Sequence, residues 1–182
     1  KAVAKGSLSE YKKNIKQIVK DFTDIKLKKK TLAKVGIVGE ILIKYHFFGN
    51  DNLIEKLEAE GAEVFLPDLM GFVKYCAYNN VIKEKLLKKG KKTSVFSSIA
   101  LGLIDFYEKP IKEALKGTKY RSTTNIYELA HNVEGILSTG NQTGEGWFLT
   151  AEMIEYIEHD IPNIVCVQPF ACLPNHVTGK GM

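Results

Sequence analysis

The sequence predicts an α/β protein: a Rossmann- or flavodoxin-like core of parallel strands that carries a helical insertion. Three observations predict it. Lys34-Val35-Gly36-Ile37-Val38-Gly39 is a short β-branched run bounded by glycine, the pattern of a parallel strand covered on both faces. Residues 50–66 then read as helix, glycine and second strand, which completes a βαβ unit with an expected right-handed crossover. Near the end, a helix through Met153, Ile154 and Ile157 leads past Pro162 into a third strand, Asn163-Ile164-Val165-Cys166-Val167-Gln168.

Taken in order, the chain opens with Leu8, Tyr11, Ile15, Ile18, Val19 and Phe22 at helical spacing, an amphipathic helix capped by Ser7 or Ser9. Residues 1–33 read as this helix and a lysine-rich linker, and 34–182 as the α/β domain. Asn50 and Asp51 are cap candidates for the helix through Leu53, Ile54 and Leu57, and Gly61 is its expected carboxyl cap. Ala62-Glu63-Val64-Phe65-Leu66 is a strand stopped by Pro67. From about 69 to 137 the pattern turns helical, with expected segments at 69–89, 94–107, 110–115 and 125–137. Pro110 suits the first turn of a new helix. This region is expected to be an insertion or lid on the α/β core.

With 182 residues, 45% of them hydrophobic, the chain can bury a core, and one globular domain is expected. No Met opens it, and Thr178-Gly179-Lys180-Gly181-Met182 reads like a helix start, so a piece of a larger protein is expected. The longest apolar runs are too short to span a bilayer, and no membrane association is expected. The net charge of +5 comes mostly from lysine, at Lys28 to Lys30 and Lys83 to Lys92. Such runs attract nucleic acid or acidic cofactors, but they also suit solvated helix ends. With one arginine, Arg121, and no aromatics among the lysines, nucleic acid is not an expected partner. Three cysteines, with no CxxC pair, point to a reducing, cytoplasmic compartment.

Open α/β sheets place their chemistry in loops beyond the carboxyl ends of strands, which directs attention to Pro169-Phe170-Ala171-Cys172-Leu173-Pro174-Asn175-His176. Cys172 sits between two prolines that pre-set the backbone, so its thiolate is a candidate soft donor to an iron–sulfur cluster. An inert thiol in a tight turn is the plainer alternative. His176, beside Asn175, suits an acid–base group, a hydrogen-bond donor to a cluster sulfur, or a helix start. Cys166 is expected in the core of its strand and Cys76 packed within a helix. His46 falls near the functional edge, whereas His131 and His159 are ordinary helix residues. The loop 140–146 offers backbone N–H groups to a phosphate, yet it matches no nucleotide-binding motif and Glu145 is expected to repel an anion. ATP binding by this chain is not expected.

The string from Gly140 to Glu155 (GNQTGEGWFLTAEMIE), followed by Pro162 to His176 (PNIVCVQPFACLPNH) and Gly179 to Met182, resembles activator-type proteins of the 2-hydroxyacyl-CoA dehydratase system, also described as CoA-substrate-specific enzyme activases. Lys34 to Glu40 and Asn52 to Val64 fit the same family, in the dehydratase-like region downstream of its ATPase domains. The resemblance implies a protein in which ATP hydrolysis drives an electron to very low potential through iron–sulfur clusters, 4Fe–4S in type. It implies that Cys172 is a cluster ligand, with Asn175 and His176 beside the cofactor. The implied partners are upstream ATPase and dehydratase-like domains of the same polypeptide, and an acyl-CoA dehydratase. The remaining cysteines would lie upstream unless Cys76 serves, so no activity is expected of this piece alone. Two alternatives stay open: an acyl-CoA-binding dehydratase-like domain with its pocket between Cys172 and the helical insertion, or a non-catalytic scaffold.

Overall fold

A computed structural model describes residues 6–27 and 30–182. Two lysines of the first basic run, Lys28 and Lys29, lie outside the described residues. The sheet has three parallel strands: β1 (Ala33–Gly39) is central, β2 (Ala62–Phe65) lies on one side and β3 (Asn163–Val167) on the other. Val35 to Gly39 are buried, as a strand covered on both faces requires. At Gly36 a Cβ would overlap the ring of Tyr156, so glycine there lets the helix that carries Tyr156, Gly146–Glu158, lie close on the sheet. The α/β, flavodoxin-like reading is correct.

Helix α1 (Leu8–Thr23) is capped by Ser7, whose Oγ accepts from the Glu10 N–H at 3.3 Å. Its attachment is polar and aromatic: Tyr11 donates to the Tyr107 carbonyl at 2.8 Å, and Tyr120 donates to that of Phe22 at 2.7 Å. After β1 come α2 (Ile41–Tyr45) and α3 (Leu53–Ala59). The cap of α3 falls to Asn50, whose Oδ1 accepts from Leu53 N–H, while Asp51 pairs with Lys56. Gly61, at φ +92°, turns the chain into β2 as expected.

The helical region comprises α4 (Leu69–Leu87), α5 (Lys91–Leu115) and α6 (Ile126–Asn132). One expectation fails here: Pro110 lies inside a continuous α5 instead of starting a new helix. Proline removes one N–H and crowds the preceding turn. Packing on both sides holds the helix through it, with Ser94, Ser97 and Leu101 buried before it and Ile111 and Leu115 facing α1 after it. These helices form the expected insertion between β2 and β3, and they are built into the core. Tyr75, Ile82, Leu101, Ile126, Leu129 and Val133 form one core with Trp147, Phe148 and Ala151 of α7 (Gly146–Glu158). A smaller core, Val38, Leu149, Tyr156 and Ile161, joins the other face of α7 to the sheet. Helix α7 is therefore buried on both sides, from Gly146 through Glu152. The chain ends in α8 (Leu173–Asn175) and a π-helical turn, His176–Lys180. Among the described residues no helix is long and apolar enough to cross a membrane.

Candidate functional site

The strand order β2-β1-β3 means that the chain leaves β1 to one side and later returns on the other. Connections therefore diverge at the carboxyl ends of β1 and β3, the place where open α/β sheets form a crevice. Here the two ends are pinned together: Glu40 N–H donates to the Val167 carbonyl at 2.9 Å. Gly39, at φ +130°, allows this approach, since a Cβ would overlap the Val167 oxygen.

Two carboxylates occupy the first turn of α2, which faces this crevice. Glu40 accepts from Ile43 N–H at 2.8 Å, and Glu145, 4% exposed, accepts from Ile41 N–H at 3.0 Å. The protein thus supplies its own anion to the α2 amino terminus. Behind it, Lys44 reaches both oxygens of Glu152 at 2.9 Å, with the two residues 1% and 2% exposed. Burial pushes the Glu152 carboxyl up to about 7, and the adjacent Lys44 ammonium opposes that rise.

The loop before α7 is held from beneath. Tyr75 donates to the carbonyls of Gln142 and Gly144 at 3.2 and 2.9 Å, and burial pushes its hydroxyl up to about 12. Gly144 and Gly146 adopt φ +62° and +47°, with Glu145 between them at φ −71°. A Cβ on Gly146 would overlap the Asn141 carbonyl oxygen. On the other side of the crevice, the chain leaving β3 turns through Ala171 at φ +63° and enters α8 at Cys172. Thr178 ties this segment to α7, its carbonyl accepting from the Thr150 hydroxyl at 2.9 Å.

The predicted site residues fall together on this segment in different environments. Cys172 is half-buried, and its carbonyl lies 3.1 Å from His176 Nδ1. His176 itself is exposed. Asn175 is fully buried, and neither polar atom of its amide has a partner; Gln168 Oε1 and Gln142 Nε2 nearby are also buried and unpartnered. Cys166 packs at the edge of the smaller core beneath Gly179, and burial pushes its thiol up. Cys76 departs from expectation: it lies on α4 as predicted but is exposed, because its helix turns Tyr75 and Lys74 inward instead. His46 is exposed at the end of α2, and its Nδ1 accepts from Gly49 N–H at 3.0 Å.

Among the described residues no three His, Cys, Asp or Glu side chains converge to hold a metal ion. The donor set therefore fits an iron–sulfur cluster only as a contribution: one thiol, Cys172, at the surface of a segment whose neighbours Phe170, Leu173 and Val177 are exposed. Sequence reasoning missed the carboxylates of Glu145 and Glu152. The signal was present in Lys44, a lone charge after Ile41-Leu42-Ile43, and in Glu152, a lone acid within the apolar face of α7.

Two open volumes adjoin these elements. One, about 290 Å³, lies between residues 140–146 and Leu173, Pro174, Val177 and Thr178. The other is an apolar groove of about 500 Å³ between α1 and α5, lined by Tyr11, Met70, Leu103, Tyr107 and Ile111. Fold and site together define an open α/β protein whose polar groups gather at the switch point of its sheet. No family model, curated protein or solved structure matches the chain.

Proposed function

We propose that this chain is a domain of an activator of 2-hydroxyacyl-CoA dehydratase and that it contributes Cys172 to an iron–sulfur site for ATP-driven, low-potential electron transfer. The observation that carries the reading is the setting of Cys172: a half-buried thiol beyond β3, flanked by the exposed side chains of Phe170, Leu173 and Val177. An apolar collar around a single soft donor suits a surface that closes against another domain bringing the remaining ligands. The resemblance carried by residues 140–176 supports the same reading. When bound, a 4Fe–4S cluster supplies a one-electron carrier. In this chain Cys172 would hold it, His176 would stand at its edge, and Asn175 would lie behind it in the protein interior. The partners are the upstream ATPase and dehydratase-like domains and an acyl-CoA dehydratase. Free cysteines accord with a cytoplasmic location.

Anaerobic iron–sulfur reconstitution of the full-length protein, with and without Cys172→Ala, tests this. The expected result is loss of cluster absorbance and of the corresponding iron in the variant. Unchanged iron content and absorbance in Cys172→Ala would overturn it. A second reading, an acyl-CoA-binding domain, is favoured by the α1–α5 groove, whose lining is almost wholly apolar. It places the acyl group away from the crevice, not between Cys172 and the helical region.

A further inference from the structure

We infer that residues 169–182 form a latch that opens locally as one unit, uncovering Cys166 and freeing Cys172 from the crevice. The segment inverts the usual burial pattern. Its large apolar side chains, Phe170, Leu173, Val177 and Met182, are all exposed, whereas Asn175, Thr178 and Gly179 are buried. Closing the segment therefore takes no large apolar side chain out of water, and the hydrophobic effect does little to hold it shut.

The closed position also carries strain that opening relieves. Ala171 holds φ +63°, a conformation that is costly for a residue with a Cβ. A π-helical turn follows at His176–Lys180, a rare geometry that recurs at functional sites. Asn175 is wholly buried with neither polar atom of its amide partnered, and Gln168 Oε1, close to Gly179, is buried and unpartnered as well. Water satisfies all three atoms once the segment swings out. Backbone conformation, hydrogen bonding and burial thus point the same way on one short segment.

Little ties the segment down. Among the described residues one hydrogen bond joins it to the rest of the chain, from the Thr150 hydroxyl to the Thr178 carbonyl at 2.9 Å. Its other bonds are internal. Cys172 N–H donates to the Pro169 carbonyl at 3.2 Å, His176 N–H to that of Cys172 at 3.0 Å, and the Thr178 hydroxyl to that of Pro174 at 3.0 Å. These survive the motion and keep the segment one unit. The volume of about 290 Å³ between Leu173, Pro174, Val177 and the loop 140–146 leaves one flank without packing. Few buried apolar contacts and few bonds outward place the segment at the low-stability end of the range that a native protein spans. What it covers is specific: Gly179 lies so close over Cys166 that a Cβ there would come within 2.9 Å of the sulfur. The motion does not rest on the cluster reading; joined to it, opening brings the Cys172 thiol out to an incoming domain.

Labelling of Cys166 reads the opening, since the latch covers its sulfur. The protein is treated with iodoacetamide, quenched at intervals and mapped by peptide mass, without urea and in about 1 M urea. Cys166 should label slowly, at a rate that this urea leaves unchanged, because a local opening exposes little new surface. Asn175→Leu, which removes the orphaned amide, should slow labelling of Cys166 about tenfold. Ala171→Gly, which relieves the positive φ, should slow it about threefold, and Cys76 should label as before in both variants. Labelling of Cys166 that rises steeply with urea, as global unfolding requires, or that neither variant slows, would overturn the proposal. Iron content after reconstitution reports on the Cys172 reading separately, so the two can fail independently.

Discussion

Replacing Lys44 by Met leaves the Glu152 carboxyl buried at 2% exposure without its ammonium partner. Removing one member of a buried ion pair costs about 3–5 kcal/mol, because the remaining charge is uncompensated. The size of the loss should depend on pH. Burial holds the Glu152 proton more tightly in the folded protein (about 7) than at the ordinary value of 4.5, and Lys44 works against that rise. The stability linked to that proton is fully present below about 4.5 and is lost as pH climbs to the folded value. Without Lys44 the folded value moves higher, so the window extends above 7. At pH 8 the variant should lose about 3–5 kcal/mol. At pH 5, where the folded carboxyl is neutral, it loses only hydrogen bonds, about 1–2 kcal/mol. With a urea m-value of about 2 kcal/mol/M, the pH 8 loss moves the midpoint by about 2 M. Trp147, the single tryptophan, is fully buried on the same helix and reports unfolding by fluorescence. The double variant Lys44→Met/Glu152→Leu should regain most of the loss, because an apolar pair of similar volume carries no desolvation penalty. Equal destabilisation at pH 5 and pH 8, or a double variant no more stable than the single one, would refute the reasoning.

Gly146→Ala should lower the urea midpoint, with a cost above the roughly 1–3 kcal/mol that a positive φ imposes on a residue with a Cβ, since that Cβ would also overlap the Asn141 carbonyl. An unchanged midpoint would mean that the loop relaxes at no cost. Alkylation at pH 8 followed by peptide mass mapping should label Cys166 last, because burial in β3 pushes its thiol up and Gly179 packs over its sulfur. Labelling of Cys166 ahead of exposed Cys76 would contradict the packing of the π-helical turn on the sheet.

The strands were legible because their signals are local. Lys34 to Gly39 and Asn163 to Gln168 carry β-branched runs bounded by glycine or proline, and the observed strands agree to within a residue. The cap at Ser7 and the turn at Gly61 were local as well. Pro110 misled because its signal belongs to an isolated helix, whereas α5 is held by α4 at Ser97 and Leu101 and by α1 at Tyr107. Cys76 misled because aromatic residues surround it and the one nearby charge, Lys74, itself turns inward, so sequence could not say which face of α4 is buried; Tyr75, bonded to the 140–146 loop, decides it. At the site, the Cys172 segment stood out through its prolines. Partners about a hundred residues apart, Lys44 with Glu152 and Ile41 with Glu145, exist only once the sheet brings β1 and α7 together.

Helix α7 packs on the sheet through Leu149 and Tyr156 and on the helical region through Trp147, Phe148 and Ala151. This arrangement has a consequence for the order of assembly. The third strand is reached only through a helix whose other face needs α4, α5 and α6. Closing that long loop without them would leave Trp147 in water, so folding of the helical region and addition of β3 to the sheet form one cooperative step. The chain has no smaller half that keeps both the parallel sheet and the loop beside it.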